Sequence, residues 1–87
     1  MRKIVFDPDA FDDYSDWAIY NKNIFKQTFE VIRDIRRNPF DGIGKPEALK
    51  HNLKGCWSRR ITDEHRIVYK VAENGDIFIL SVKGHYS

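Results

Sequence analysis

The hydrophobic positions follow three rhythms in succession: a short β-branched run, two stretches of helical spacing, and a closing series of strand-like runs. Lys3-Ile4-Val5-Phe6 reads as a strand, ended at once by Asp7-Pro8. Asp7 suits a helix N-cap, and Pro8 suits the first helical position, where its missing N–H costs nothing. Phe11, Tyr14 and Ala18 then recur at i, i+3 and i+7 with Trp17 beside them, while Asp12, Asp13 and Asp16 take the other side. That spacing predicts an amphipathic helix of about three turns, its early aspartates complementing the positive end of the dipole. Asn21-Lys22-Asn23 interrupts the pattern with turn-prone residues. A second helix follows, with Phe25, Phe29 and Ile32 on one ridge and Ile24, Thr28, Val31 and Ile35 on the next. Arg36-Arg37 face the negative end of its dipole, and Asn38-Pro39 stops it. The pair reads as an antiparallel helical hairpin.

The remaining half changes period. Phe40 to Gly44 reads as a loop that Lys45-Pro46-Glu47 continues, with Leu49 and Leu53 fastening it to the core. Trp57 to Thr62 and Arg66 to Val71 read as strands, and Ile77 to Val82 as a third after the turn signal Asn74-Gly75. The unbroken apolar run Ile77-Phe78-Ile79-Leu80 predicts a strand buried on both faces and internal to the sheet. The order is β-α-α-β-β-β, an α+β arrangement: the helical hairpin covers one face of a mostly antiparallel twisted sheet and leaves the other free for a site. Register decides what that face carries. Opposed residues share a face, so pairing Arg60 with Arg66 points both guanidinium groups the same way, and a slip of one residue separates them. A tight two-residue turn at Asp63-Glu64 gives the slipped register. The connection is therefore expected to be longer or bulged.

Composition narrows the class. The 87 residues are read as a single domain, 1–87, with 41% hydrophobic and 14% aromatic residues, enough for a core of modest stability. No apolar run approaches the roughly 18–20 residues that span a bilayer, and no signal peptide is read. Cys56 is the one cysteine, read as a semi-buried filler, and no cluster has zinc-ligand spacing. The five aspartates between Asp7 and Asp16 do not converge and read as a solvated face. A cytoplasmic protein with no metal and no cofactor is expected. Charge is the more telling feature. Gly44 to Val71 holds seven lysines and arginines against three carboxylates, a balance of +4 in a chain of net +2. Concentrated positive charge draws polyanions, here the phosphate backbone of RNA.

The segments NPFDGIGKPEALKHNLKG, WSRRITDEHRIVYKV and the terminal GHY, with FDDYSDW in the first helix, resemble the YoeB/Txe toxins of the RelE/ParE superfamily. The matching elements run in order along essentially the whole chain. The resemblance implies a microbial-ribonuclease-like RelE fold and cleavage of mRNA on the 70S ribosome. It implies that Glu47 is the general base acting on the ribose 2′-hydroxyl, that Arg66 stabilises charge on the phosphorus, and that His85 is the acid protonating the departing 5′-oxygen. Tyr86 matches the terminal aromatic that holds a base or the scissile backbone, and Lys50 and Arg60 match phosphate-binding positions. Lys45 and Lys54 belong to the same basic stretch as candidate RNA contacts. Further implications are a YefM/Axe-type antitoxin, a possible toxin homodimer, and binding of operator DNA only through the antitoxin complex. The chain departs from the family pattern at Ser87, which follows the usually terminal tyrosine, and at Gly84, where a bulkier residue is common.

The chemistry agrees with these assignments. Metal-free cleavage by internal transesterification requires a base, an acid and fixed positive charge at the phosphate. Acid–base assistance contributes roughly 10²–10⁴-fold and each well-aimed donor about 10²–10³-fold. The planar guanidinium grips two phosphate oxygens at once. Two alternatives use the same fold: a non-catalytic ParE-like toxin of the kind that poisons DNA gyrase, and a plain nucleic-acid-binding module. Neither needs the acid–base pair. His51 and His65 read as structural or surface histidines, and Arg59 as a packed stem or a surface ion pair.

Overall fold

A computed structural model describes residues 2–84. Its elements in chain order are β1 (Ile4–Phe6), α1 (Pro8–Tyr20), α2 (Lys22–Arg37), β2 (Glu47–Ala48), a 3₁₀ turn (His51–Leu53), β3 (Trp57–Arg60), β4 (Arg66–Val71) and β5 (Ile77–Ser81). The five strands form one sheet in the order β1-β5-β4-β3-β2. β1 runs parallel to β5, and all other neighbours are antiparallel. The α+β reading stands, as two helices packed on one face of a mixed sheet.

Local chemistry explains the helices. Pro8 opens α1 as expected, although the Asp7 side chain makes no capping bond and only its backbone carbonyl accepts, from Phe11 N–H. Asn21 alone separates the helices, so the expected three-residue interruption shrinks to one. Its Oδ1 accepts from Ile24 N–H and satisfies a donor that the first turn of α2 leaves open. The expected stripe of α2 is largely what is buried, in Thr28, Val31, Ile32 and Ile35. On α1 the deepest residue is Ala10 rather than Phe11, which is 55% exposed. Tyr14 and Trp17 pack against the core as expected, and the Tyr14 and Phe25 rings join the two helices at 4.8 Å.

The sheet supplies the rest of the core through Ile61, Ile67, Tyr69, Ile77, Ile79 and Val82. Each such aliphatic side chain contributes about 1.5–3 kcal/mol when fully buried. Three expectations need correction. β3 ends at Arg60, two residues early. β5 is internal, between β1 and β4, but it is not buried on both faces: Ile77 and Ile79 are inside while Phe78 and Leu80 are more than a third exposed. A run without polar residues conceals alternation when the solvent-facing positions are also apolar. Finally, β2 occupies what reads as loop, paired through Glu47 with Ser58 and Ala48 with Trp57. Two residues are too few to establish any period.

Candidate functional site

Register builds the face opposite the helices. Glu47 stands opposite Ser58, Ser58 opposite Val68, and Arg60 opposite Arg66. Ser58 and Arg60 are two apart on β3, so Glu47, Arg60 and Arg66 project from the same side. Strand spacings put the Cα atoms of Glu47 and Arg66 about 12 Å apart. The expected Arg60–Arg66 pairing is present, and so is the long connection it needs. Ile61 and Thr62 N–H both donate to His65 O, at 2.9 and 3.1 Å, closing a five-residue bend over residues 61–65.

The other candidates divide. Lys50 shares with Glu47 a groove of about 290 Å³ lined by residues 47–53. Lys45 and Lys54 are exposed and lie outside that lining, flanking it in sequence. His85 and Tyr86 fall outside the described residues. A larger cavity of about 560 Å³, bounded by Arg2, Arg33, Arg36 and Arg37 with Glu30 and Asp34, contains none of the expected site residues. Several of its guanidinium groups have local partners: Arg37 meets Asp34 at 3.0 Å and Arg2 donates to Arg36 O at 2.9 Å.

Glu47 is delivered by a loop wrapped around a buried cation. Arg59 points to the helix side of β3 and is fully buried, so the expected surface ion pair is an interior one. Its guanidinium donates to Asp34 Oδ2 at 2.6 Å, to Ile43 O at 3.2 Å, to Asp41 O at 3.0 Å, to Asn38 O, and to Tyr69 Oη at 3.2 Å. Tyr69 donates in turn to Pro39 O at 2.6 Å, and Ile43 N–H donates to Asp34 Oδ2 at 2.9 Å. Four carbonyls of the loop are thereby satisfied by Arg59 and Tyr69, and Asp34 takes one of its N–H groups. Burial pushes the Asp34 carboxyl up, but the Ile43 and Arg59 hydrogen bonds and the charges of Arg59 and Arg37 outweigh it and hold it below the ordinary range. Burial also raises the Tyr69 phenol, with Arg59 opposing. Gly44 then brings the chain onto β3: its carbonyl accepts from Arg60 N at 2.7 Å, and at φ +80° a Cβ there would lie 2.8 Å from Arg60 O. Only glycine fits that approach.

Residues 82–84 reach the start of β4 by way of a bulge. Val68 and Tyr69 are consecutive on β4, yet they pair with Ser81 and Ile79, so β5 carries one extra residue. The extra residue turns Val82 into the core, where it is fully buried. Trp17 Nε1 donates to Val82 O at 3.2 Å. Gly84 N–H donates to His65 Nδ1 at 2.9 Å, and Gly84 O accepts from Arg66 N at 3.1 Å. The chain is thus tied to the backbone of Arg66 one residue before His85.

Two further side chains bear on this face: Ser58, which the sequence does not single out, and His65, which reads there as a structural or surface histidine. Among the described residues, Ser58 Oγ, between Glu47 and Val68, is the buried side-chain polar atom without a hydrogen-bond partner. His65 is structural as expected, but what it holds is the tail. Neither carries a local signal, because each acquires its neighbour from a distant part of the chain. The arrangement offers a carboxylate, paired guanidinium groups and a lysine around one open face, the components for gripping a phosphodiester and moving a proton beside it.

Residues 6–86 match the family described as the YoeB-like toxin of bacterial type II toxin–antitoxin systems. The chain is 49% identical over 84 residues to the toxin YoeB of Escherichia coli strain K12, covering 97% of this chain and 99% of that one. It superposes on the YoeB–YefM complex of Staphylococcus aureus with a TM-score of 0.88 and 48% identity, covering 99% of each chain. A YoeB dimer from the same organism gives 0.89 and 46%, covering 98% of each.

Proposed function

The chain belongs to the YoeB-like toxins of bacterial type II toxin–antitoxin systems, and from that membership we propose that it is a ribosome-dependent mRNA endoribonuclease. The observation that carries the reading is the register that sets Glu47, Arg60 and Arg66 on one helix-free face. In this reading RNA in the ribosomal A site lies across that face with its phosphate between the carboxylate and the guanidinium pair. Glu47 takes the proton from a ribose 2′-hydroxyl, and the 2′-oxygen attacks the adjacent phosphorus. Arg66, with Arg60 and Lys50, balances the charge that builds on the non-bridging oxygens. The bond from phosphorus to the 5′-oxygen breaks, and His85 supplies the proton that the leaving oxygen needs. The products are a 2′,3′-cyclic phosphate and a 5′-hydroxyl. Tyr86 holds a base or the scissile backbone, while Lys45 and Lys54 track the strand on either side. No metal or cofactor takes part.

The partners follow the same membership. The S. aureus relative is complexed with YefM, and a dimer of that toxin is also known. For this chain the counterparts are a YefM/Axe-type antitoxin that covers or distorts the site, a homodimer, and operator DNA reached only through the antitoxin complex. Work on the ribosome places the protein in the cytoplasm; no helix among the described residues is long and apolar enough to cross a membrane. The test is to map mRNA ends during translation after brief induction. In-frame cuts at the A site that vanish in Glu47→Ala and His85→Ala are expected. Growth arrest with intact mRNA, persisting in both variants, would replace the enzyme by a non-catalytic toxin.

A further inference from the structure

We propose that His65 is a positioning residue: its Nδ1 holds the backbone of Gly84, the residue that precedes His85 in the chain, against the backbone of Arg66. The inference rests on the reading of His85 as the general acid and adds a residue which that reading does not use.

The imidazole is itself held in place. The His65 backbone carbonyl receives Ile61 and Thr62 N–H, its backbone N–H donates to Thr62 Oγ1 at 3.1 Å, and the ring meets the Trp17 indole edge-on at 4.8 Å. A ring held on both its backbone and its face presents Nδ1 in one direction. To accept from Gly84 N–H, that nitrogen must be the unprotonated one, with the ring proton on Nε2. Arg66 N–H meanwhile donates to Gly84 O. His65, which ends the bend, and Arg66, which opens β4, therefore take both polar groups of a single glycine. Gly84 sits at φ +78°, a backbone conformation that side chains rarely adopt, so this approach to the site suits the glycine that departs from the family pattern. Upstream, Trp17 holds Val82 O, and the Lys83 ammonium lies 6.0 Å from the Trp17 ring centroid. Trp17 and His65 are thus two side chains in mutual contact that fasten residues 82–84, the last of them immediately before His85.

Magnitudes separate positioning from mere stabilisation. One such hydrogen bond is a small part of the stability of a cooperative domain. A proton donor misplaced by about 1 Å loses on the order of 10²-fold in rate. Removing the Nδ1 acceptor should therefore slow cleavage far more than it lowers the melting temperature.

The test compares His65→Phe, which keeps a ring against Trp17 but removes the acceptor, with His65→Asn, whose carboxamide oxygen lies near the place of Nδ1. Single-turnover cleavage of ribosome-bound mRNA is measured at saturating toxin, with half-saturation, melting temperature and Gly84 amide exchange read in parallel. His65→Phe is expected to cleave roughly 30- to 100-fold more slowly with half-saturation little changed, and His65→Asn to recover most of that loss. The Gly84 amide should exchange faster in the Phe variant than in the Asn variant. Cleavage by His65→Phe within about three-fold of the parent would overturn the proposal, as would an equal loss in both variants. His85→Ala serves as the control. If it cleaves at the parent rate, the acid assignment fails separately, and Gly84 exchange still decides whether His65 holds the tail: unequal exchange supports it, equal exchange overturns it.

Discussion

The loop that delivers Glu47 and the tail that leads to His85 reach one face by opposite means. The loop is bound from within: a fully buried guanidinium and a phenol donate to the carbonyls of Asn38, Pro39, Asp41 and Ile43, while the Asp34 carboxylate accepts from Arg59 and from Ile43 N–H. The tail is bound from outside, by single hydrogen bonds from Trp17, His65 and Arg66 over three residues. The first arrangement costs desolvation of an ion pair and returns a rigid loop. The second leaves the tail within about 1–3 kcal/mol of release, the low-stability end from which moving parts of proteins are drawn. Under the proposed function that inequality suits a toxin silenced by a partner: the proposed base Glu47 stays with the core, and residues 82–84, which lead to the proposed acid, are the part a partner can release.

The largest effect expected is chemical. Glu47→Ala should lower cleavage by roughly 10²–10⁴-fold with the fold intact, measured as single-turnover rate beside thermal melting. A variant that unfolds instead would make the Glu47 loop part of the scaffold and erase the division between chemistry and support. Next comes Arg59→Ala. It strands Asp34 and at least four acceptors in the interior and should cost about 3–5 kcal/mol, read by urea unfolding. If it costs no more than Trp17→Phe, the contrast between inside and outside tethers is wrong.

Acid should loosen the loop through Asp34. Asp34 titrates below the ordinary carboxylate value near 3.8 in the folded chain, so its contribution is complete above that value and disappears as pH falls through the folded pKa. Stability measured from pH 6 down to 2 should therefore fall less steeply in Asp34→Asn than in the parent; parallel curves would remove Asp34 as the acid-sensitive point. Smallest is Trp17→Phe, which deletes one donor to Val82 O and should cost about 1 kcal/mol. Its clearer sign is faster amide exchange at residues 83 and 84 with the loop amides unchanged. Equal acceleration at Ile43 would mean that the two tethers are one.

Much of this architecture is legible in one dimension. The two helices, the strand at Arg66–Val71, the Asn74-Gly75 turn and the demand for a long bend after Arg60 all follow from periods and turn residues within a few positions of one another. Misreadings occurred where a residue's fate depends on a remote partner. Phe78 and Leu80 look buried because they are apolar, yet nothing packs over them fully. Arg59 looks exposed because it is charged, yet Asp34, 25 positions earlier, neutralises it inside.

The sequence by itself therefore determined both helices, four of the five strands, the basic stretch and the family, since backbone periodicity and motif spacing are properties of neighbours in the chain. Tertiary structure alone decided that Glu47 forms a strand on the same side as Arg60 and Arg66, that Arg59 is the pin of the loop, and that His65 grips Gly84. Those facts are contacts across 6 to 25 positions, and their energies exist only once the sheet has fixed which side chains share a face.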